Sequence, residues 1–498
     1  MPKLDYKTIF FVLGILLLFN GAFMVFAALA GLYYDDGSAL PIALSAAITM
    51  VLGGLIIVLT KNRDKSLKQR DGYVIVTFGW IFMVLSGTLP FLFTGTAPDF
   101  ASAFFETMSG YTTTGATVFS DVESLPKGIL LWRSLTHWIG GMGIIVLAVA
   151  ILPLLGIGGM QLFSAESPGP ENEKIKPRIA DIAKRLWLIY AGYTISETIL
   201  LKVAGMGWFD ALNHSFATMA TGGFSTKNAS AAFWNDQPII QYILIFFMFM
   251  AGTNFVLSYY AFKGKVRKFL CDDEFKWYFA FIASFTLVSA LLIYFTPGFE
   301  TAITNHPMVW GKAEASFRHA VFQVISIVTT TGFVTADYTT WTPFLSLFFF
   351  GMFFLGGCAG STAGGVKVIR HLITIRNGIM EFKRALHPNA LLPVRYNGKA
   401  VERKIVFNIL GFFILYILIF IVGSLGYAFL GLDFLTSAGA SVTTLGNVGP
   451  GFGVLGPVDN FGFLSSVGKW WSAFLMLVGR LELFTVLIIM TPFFWRDR

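Results

Sequence analysis

Charge and cysteine are scarce in this chain. Of its 498 residues only 13% are Asp, Glu, Lys or Arg, about half the share of a soluble domain. Two cysteines, Cys271 and Cys358, exclude a disulfide framework and a thiolate zinc centre. The acidic residues and six histidines form no cluster at metal-ligand spacing, and no nucleophile stands beside an evident base. An enzyme is therefore not expected. The formal charge of +8 does not call for nucleic acid, because short loops on one side of a membrane carry the same excess.

What is present is apolar. Hydrophobic residues make up 55% of the chain and 53 residues are Phe. Their runs are long enough to span a bilayer, so the chain is expected to be a polytopic membrane protein. Lys3 and Lys7 precede an apolar run from Ile9 to about Leu32. A cleavable signal holds only about 7–15 apolar residues, so this run reads as a retained helix.

Four short stretches organise the rest: Thr113-Thr114-Gly115-Ala116, Ala220-Thr221-Gly222-Gly223, Thr330-Thr331-Gly332-Phe333 and Thr444-Leu445-Gly446-Asn447. Their third-position glycines lie 107, 110 and 114 residues apart. A near-constant period signals internal repeats. Each stretch follows a helix-like segment too short to cross about 30 Å of hydrocarbon, at Asp99–Tyr111, Asp210–Thr218, Ala313–Val328 and Asp433–Val442.

In order, the chain reads as an amino-terminal hairpin, Ile9–Leu32 and Ala39–Thr60, then four repeats of span, half-helix, loop and span. The spans are Val74–Phe93 and Ile129–Leu155, Leu186–Val203 and Ile239–Phe262, Trp277–Phe295 and a return from Phe344, and Ile405–Leu430 and Trp470–Ile489. The fold class is all-α: about ten spanning and four re-entrant helices, with parallel repeats around a pseudo-fourfold pore. The expected divisions are 1–70, 71–170, 171–270, 271–385 and 386–498. Basic residues cluster at Lys61–Arg70, Lys174–Arg185, Lys263–Lys276 and Lys367–Lys404. All fall on one face under this reading, which makes that face and both termini cytoplasmic.

Non-helical backbone at membrane depth is tolerated only inside protein or along water. Glycine permits unusual backbone angles and close approach, so carbonyl oxygens can replace an ion's hydration shell. Each half-helix would aim its negative carboxyl end at the axis, with Asp99, Asp210, Glu314 and Asp433 near the positive end. The expected metal-binding set is Thr113, Thr114, Gly115, Ala220, Thr221, Gly222, Thr330, Thr331, Gly332, Thr444, Leu445 and Gly446, with a monovalent cation as cargo.

These loops resemble those of the Trk/Ktr/HKT superfamily of potassium transport proteins. The runs His137-Trp138-Ile139-Gly140-Gly141-Met142-Gly143 and Gly356–Lys367, with the extra hairpin, resemble its bacterial Trk-type pore subunits over essentially the whole chain. The resemblance implies potassium as the ion, with sodium and rubidium as further candidates. It also implies a bacterial inner-membrane location, a homodimer, and a cytoplasmic nucleotide-binding regulator of the RCK/KTN, TrkA-like kind.

Two features suggest a gate. Gly356, Gly357, Gly360, Gly364 and Gly365 fall within ten residues. Glycine costs about 1 kcal/mol per helical position, so the third return helix should break into a loop below the third stretch. The ending that a phosphate-cradling loop requires is missing. Arg480 lies near the middle of the last apolar run, where a charge normally faces the bundle interior or water. A pore barrier is one reading and a structural ion pair, for instance with Glu482, is the other. The resemblance implies an intramembrane gating loop and supports the barrier. Glu197, Asn254, Glu106 and His214 are weaker candidates, either structural or ordering the loops. A proton- or sodium-coupled symporter stays open as the alternative to a gated channel.

Overall fold

The computed structural model describes residues 4–62, 69–146, 175–296, 307–390 and 392–496. Among these the only sheet pairs Arg395–Tyr396 with Lys399–Ala400; the other regular elements are helices.

Helices α1 (Tyr6–Tyr34) and α2 (Ala39–Leu59) form the expected hairpin. Asp5 caps α1 by accepting the Lys7 and Thr8 amides at 3.1 and 3.2 Å. Small residues bring the two helices together, since a Cβ on Gly53 would lie 2.8 Å from the Gly14 carbonyl. Buried Asn20 ties α1 to the first repeat, donating to Ser86 Oγ at 2.7 Å and accepting the Tyr111 hydroxyl.

The four repeats follow. The first comprises α3 (Gln69–Gly87), α4 (Leu89–Phe93), half-helix α5 (Phe100–Tyr111) and α6 (Lys127–Val146). The second comprises α7 (Ile175–Val203), half-helix α8 (Trp208–Met219), α9 (Pro238–Ala251) and α10 (Phe255–Phe262). After the short α11 (Val266–Leu270), the third holds α12 (Asp273–Phe295), half-helix α13 (Lys312–Val328), α14 (Pro343–Met352) and α15 (Val368–Leu386). The fourth holds α16 (Arg403–Phe429), half-helix α17 (Phe434–Gly446), α18 (Ser466–Arg480) and α19 (Phe484–Met490), with α20 (Pro492–Trp495) at the end. The protein is an all-α polytopic membrane protein of four helix–re-entrant loop–helix repeats.

Burial separates the two helix kinds. Only 17% of the most apolar window of α16 and 28% of that of α12 is buried, as for helices coated by lipid. Every residue of α5 from Ala101 to Tyr111 is buried. The half-helices are the centre and the long helices are the wall.

Two return segments differ from their reading as continuous spans. Ile239–Phe262 is α9 and α10, bent by 104°, and Trp470–Ile489 is α18 and α19, bent by 117°. At the first bend the Asn254 side chain accepts the Val256 amide at 2.8 Å and restarts the helix as α10. At the second, Glu482 and Leu483 take left-handed φ of 57° and 55°. The third return helix breaks as expected, between Met352 and Val368. The far end of Ile129–Leu155 and parts of the first two basic clusters lie outside the described residues.

Candidate functional site

Each half-helix ends in the same backbone motif. Thr113, Thr221, Thr330 and Asn447 are left-handed, with φ of 50°, 54°, 55° and 55°. The next amide then bonds the carbonyl five residues back: Thr114 to Ser109 at 2.9 Å, Gly222 to Ala217 at 2.8 Å, Thr331 to Ser326 at 2.8 Å and Val448 to Thr443 at 3.1 Å. This is the Schellman way of satisfying helix-end carbonyls, with glycine the usual left-handed residue. A side chain there costs about 1–2 kcal/mol, and three of the four carry a β-branched threonine.

Two residues beyond each left-handed position stands a glycine of positive φ: Gly115, Gly223, Gly332 and Gly449. A Cβ on Gly115 would fall within 3.0 Å of the Gly222 carbonyl oxygen, on Gly223 of Thr331 O, on Gly332 of Val448 O, and on Gly449 of Thr114 O. The contacts run from loop 1 to 2, 2 to 3, 3 to 4 and back to 1. They close a ring in which the carbonyl of one loop lies against the bare α-carbon of another. All four glycines line one cavity of about 110 Å³, together with Arg133, Lys227 and Asp459.

The ring holds Thr113-Thr114-Gly115 and Thr330-Thr331-Gly332 in the register of the sequence reading. Elsewhere the register shifts. The second loop contributes Thr221-Gly222-Gly223, so Ala220 stands one position before the ring. The fourth contributes Asn447-Val448-Gly449, and Thr444, Leu445 and Gly446 are the last turn of α17. A Cβ on Gly446 would stand 3.3 Å from Phe353 O, whereas one on Gly449 would stand 2.7 Å from Thr114 O, so glycine is required more strictly at 449 than at 446. The missed signal is Asn447, a residue type that tolerates the left-handed region, followed two positions later by glycine.

Seven residues before the left-handed position stand Glu106, His214, Gln323 and Ala440. The first three brace the loop that follows. Glu106 accepts the Val118 amide at 2.9 Å and the Thr117 hydroxyl at 3.0 Å. His214 donates from Nδ1 to Asp210 O at 2.8 Å, leaving Nε2 to accept the Ser225 hydroxyl at 3.0 Å. Gln323 donates to Ala336 O at 3.0 Å. Loop 4 is held from outside its own repeat, by the Tyr338 hydroxyl on Gly451 O at 3.1 Å and by Asn447 Nδ2 on Thr114 Oγ1 at 3.0 Å.

The glycine-rich segment 353–367 packs beneath the ring. The Gly364 amide donates to Thr330 Oγ1 at 2.6 Å. Thr362 Oγ1 donates to Met219 O at 3.0 Å, and a Cβ on Gly364 would come 2.6 Å from Gly446 O. Gly360 and Gly365 have φ of 74° and 64°, while Gly356 and Gly357 lie against Gly364 O and Gly252 O. Arg480, buried at the last turn of α18, reaches this segment, donating to Thr362 O at 2.7 Å and Gly140 O at 3.4 Å. Glu482 is not its partner; that carboxylate pairs with Arg370 at 2.5 Å.

Residues 40–496 match the TrkH family model, described as a cation transport protein. The chain belongs to the TrkH family. It is 39% identical over 498 residues to the Trk system potassium uptake protein TrkH of Salmonella typhimurium, covering 99% of this chain and 100% of that one. It is 34% identical over 469 residues to the Trk system potassium uptake protein TrkG of Escherichia coli, covering 94% of each. The crystal structure of the potassium transporter TrkH from Vibrio parahaemolyticus superposes with a TM-score of 0.88 at 39% identity, over 99% of this chain and 100% of that one.

The match to the TrkH family model includes all four loops, the 353–367 segment and Arg480. The acidic residues at the half-helix starts divide into two kinds. Asp99 and Asp433 are caps, and the backbone amide of Ser102 holds the Asp99 carboxyl below its ordinary range. Asp210 and Glu314 lie inside the first turn, bonded to the Thr226 hydroxyl at 2.6 Å and Arg318 at 2.8 Å. Asn254 is the helix cap at the α9–α10 bend. Glu197 is buried in α7, and neither carboxylate oxygen has a hydrogen-bond partner among the described residues.

Proposed function

We propose that this chain is the pore-forming subunit of a bacterial potassium uptake system. The observation that carries the reading is the closed ring of Thr114, Gly222, Thr331 and Val448 carbonyls beneath a cavity lined by all four loops. Carbonyl rings of this kind take the place of an alkali ion's hydration shell. The half-helix carboxyl ends add negative potential there. Relatives named as Trk potassium uptake proteins, aligned end to end with this chain, support potassium as the cargo.

In this reading segment 353–367 and Arg480 form the gate below the ring. A guanidinium on the cation's path is an electrostatic barrier, and its bond to Thr362 O couples it to the segment. The chain works as a homodimer in the inner membrane, with both termini cytoplasmic. A cytoplasmic nucleotide-binding ring subunit docks on the basic region that follows the segment. In that region Arg376 and Arg384 are engaged within the chain, with Asp273 Oδ2 at 2.7 Å and Leu392 O at 2.7 Å. Lys383 is exposed and is the cleaner probe: Lys383→Glu weakens copurification of the regulator.

The test is tracer flux into liposomes holding the purified protein, with potassium, rubidium, sodium and lithium compared. Potassium and rubidium are expected to pass ahead of sodium and lithium, and Arg480→Ala is expected to raise the flux. No cation flux from folded protein overturns the reading. Proton-coupled symport is the second reading, favoured by the unpartnered carboxyl of Glu197. Proton uptake in step with potassium, abolished by Glu197→Gln, would select it.

A further inference from the structure

One face of α6 holds the first two loops together. Arg133 Nε meets Glu106 Oε1 at 2.8 Å, and both side chains are buried, 2% and 0% exposed. Arg133 also donates to Ser225 O of loop 2 at 3.2 Å and to the Thr117 hydroxyl of loop 1 at 3.3 Å. Its guanidinium lies over the Phe224 ring, 4.1 Å from the centroid. One turn on, His137 accepts the Phe224 amide on Nε2 at 3.2 Å, so its Nδ1 carries the proton given to Gly110 O at 2.7 Å. Gly222, whose carbonyl belongs to the ring, lies against the same imidazole.

The other seams between successive loops are stitched differently. Loops 2 and 3 meet through Ala232 N on Val334 O at 2.9 Å, loops 3 and 4 through Tyr338, and loops 4 and 1 through Phe461 N on Thr117 O at 2.8 Å. None of these bonds uses a charged side chain. The pair at the first seam also has an electrostatic consequence. Arg133 lines the cavity over the ring, and a bare positive charge there would repel an incoming cation. Glu106 cancels it at contact distance.

We infer that Glu106 and Arg133 are specificity-determining positioning residues for the cation. Their pair fixes the separation of the loop 1 and loop 2 carbonyls, and their mutual neutralisation keeps the mouth of the ring open to cations. This rests on the reading of the ring as the cation site. Two functions in one pair can be separated. Removing Glu106 loses the brace and exposes the charge. Removing both residues loses only the brace. Lysine at position 133 keeps the charge but not the planar fork that reaches Glu106, Thr117 and Ser225 together.

The experiment measures potassium, rubidium and sodium influx into liposomes against concentration, for wild type, Glu106→Gln, Arg133→Lys and the double variant Glu106→Gln/Arg133→Gln. Glu106→Gln is expected to raise the potassium KM about fivefold, less so at high ionic strength, and to raise the sodium-to-potassium ratio about threefold. The double variant is expected to return KM toward wild type while the ratio stays high. Arg133→Lys is expected to raise the ratio with little change in KM. Wild-type ratios in both single variants overturn the inference. If Glu106→Gln does not fold, Arg133→Lys decides alone, and a wild-type ratio there overturns it. Absence of cation flux from folded wild type overturns the reading of the ring and this inference with it.

Discussion

Loops 1 and 3 face each other across the ring, as do loops 2 and 4, and the two pairs are built differently. In loops 1 and 3 threonines flank the left-handed residue and bond hydroxyl to hydroxyl, Thr112 to Thr114 and Thr329 to Thr331, each at 2.8 Å. Loop 2 has Ala220 and Gly222 at those positions, and loop 4 has Gly446 and Val448. Lacking an internal tie, loop 2 leans on His137 and loop 4 on the Asn447 bonds to Thr114 and Met476 O, the latter at 2.9 Å. The backbone of the ring is therefore close to fourfold while its support is not: loops 1 and 3 share one kind of tie, and loops 2 and 4 each have their own. Main-chain geometry set by helix ends can repeat with little sequence identity, provided that each loop finds a tie somewhere.

The largest expected effect tests which glycine of loop 4 belongs to the ring. Gly449→Ala should reduce uptake about 100-fold, as a displaced site element can. Gly446→Ala should be milder, because its new methyl would stand 3.3 Å from Phe353 O, against 2.7 Å from Thr114 O for one at Gly449. Rubidium uptake in potassium-starved cells reads both, and equal effects would break the proposed equivalence. Next comes the hydroxyl tie. Thr112→Val and Thr329→Val each remove two bonds, the tie and the hydroxyl's own donation to Met108 O or Ile325 O, at about 1 kcal/mol per bond. Both should lower the thermal midpoint in detergent and leave loops 2 and 4 unaffected, as protection of their amides from exchange would report.

Relief of left-handed strain is of similar size and opposite sign. Thr221→Gly should stabilise by less than about 1 kcal/mol, because it relieves the strain and discards one hydroxyl bond, to Ala220 O at 2.6 Å, whereas Asn447→Gly should not stabilise, because it discards two side-chain bonds. An effect of the same order divides the half-helices by their caps. Asp99 and Asp433 cap α5 and α17, while Gly207 and Gly311 begin α8 and α13 with no side-chain bond. Asp99→Ala should cost about 1 kcal/mol at neutral pH. The Asp99 carboxyl is held below its ordinary range. Its contribution is therefore present above the unfolded carboxylate pKa and lost as pH falls through the lowered folded value. The difference in thermal midpoint between wild type and Asp99→Ala should vanish in strong acid.

Most of the architecture was legible because membrane depth imposes it. An apolar run of about twenty residues and a shorter one that ends in Thr-Gly are distinct objects in sequence, and all four half-helices fall where their lengths place them. The register of loops 2 and 4 was not legible from Thr-Gly alone, because the repeating element is a backbone conformation that Thr221 and Asn447 both adopt. The bend after Arg480 was also hidden. Apart from Arg480, Glu482 and Thr485 the run Leu475–Ile489 is apolar, and what accompanies the break is tertiary: Gly479 pressed on Leu445 O and Glu482 drawn to Arg370, 112 residues away. The bend at Gly252-Thr253-Asn254 did carry a signal, a glycine beside a capping asparagine. The brace positions were half visible. Glu106 and His214 stood out as polar residues in apolar helices, but their link to Gln323 emerges only when counted from the left-handed residue.

The bond from Gly364 to Thr330 also constrains how anything could pass beneath the ring. A main-chain donor stripped of its acceptor at this depth carries a heavy penalty. Were the 353–367 segment to swing aside, the abandoned N–H and the Thr330 hydroxyl would each need a new companion, and solvent is the one companion that can follow a moving segment. Displacement and wetting are then a single event, and the vacated space fills with water as it forms.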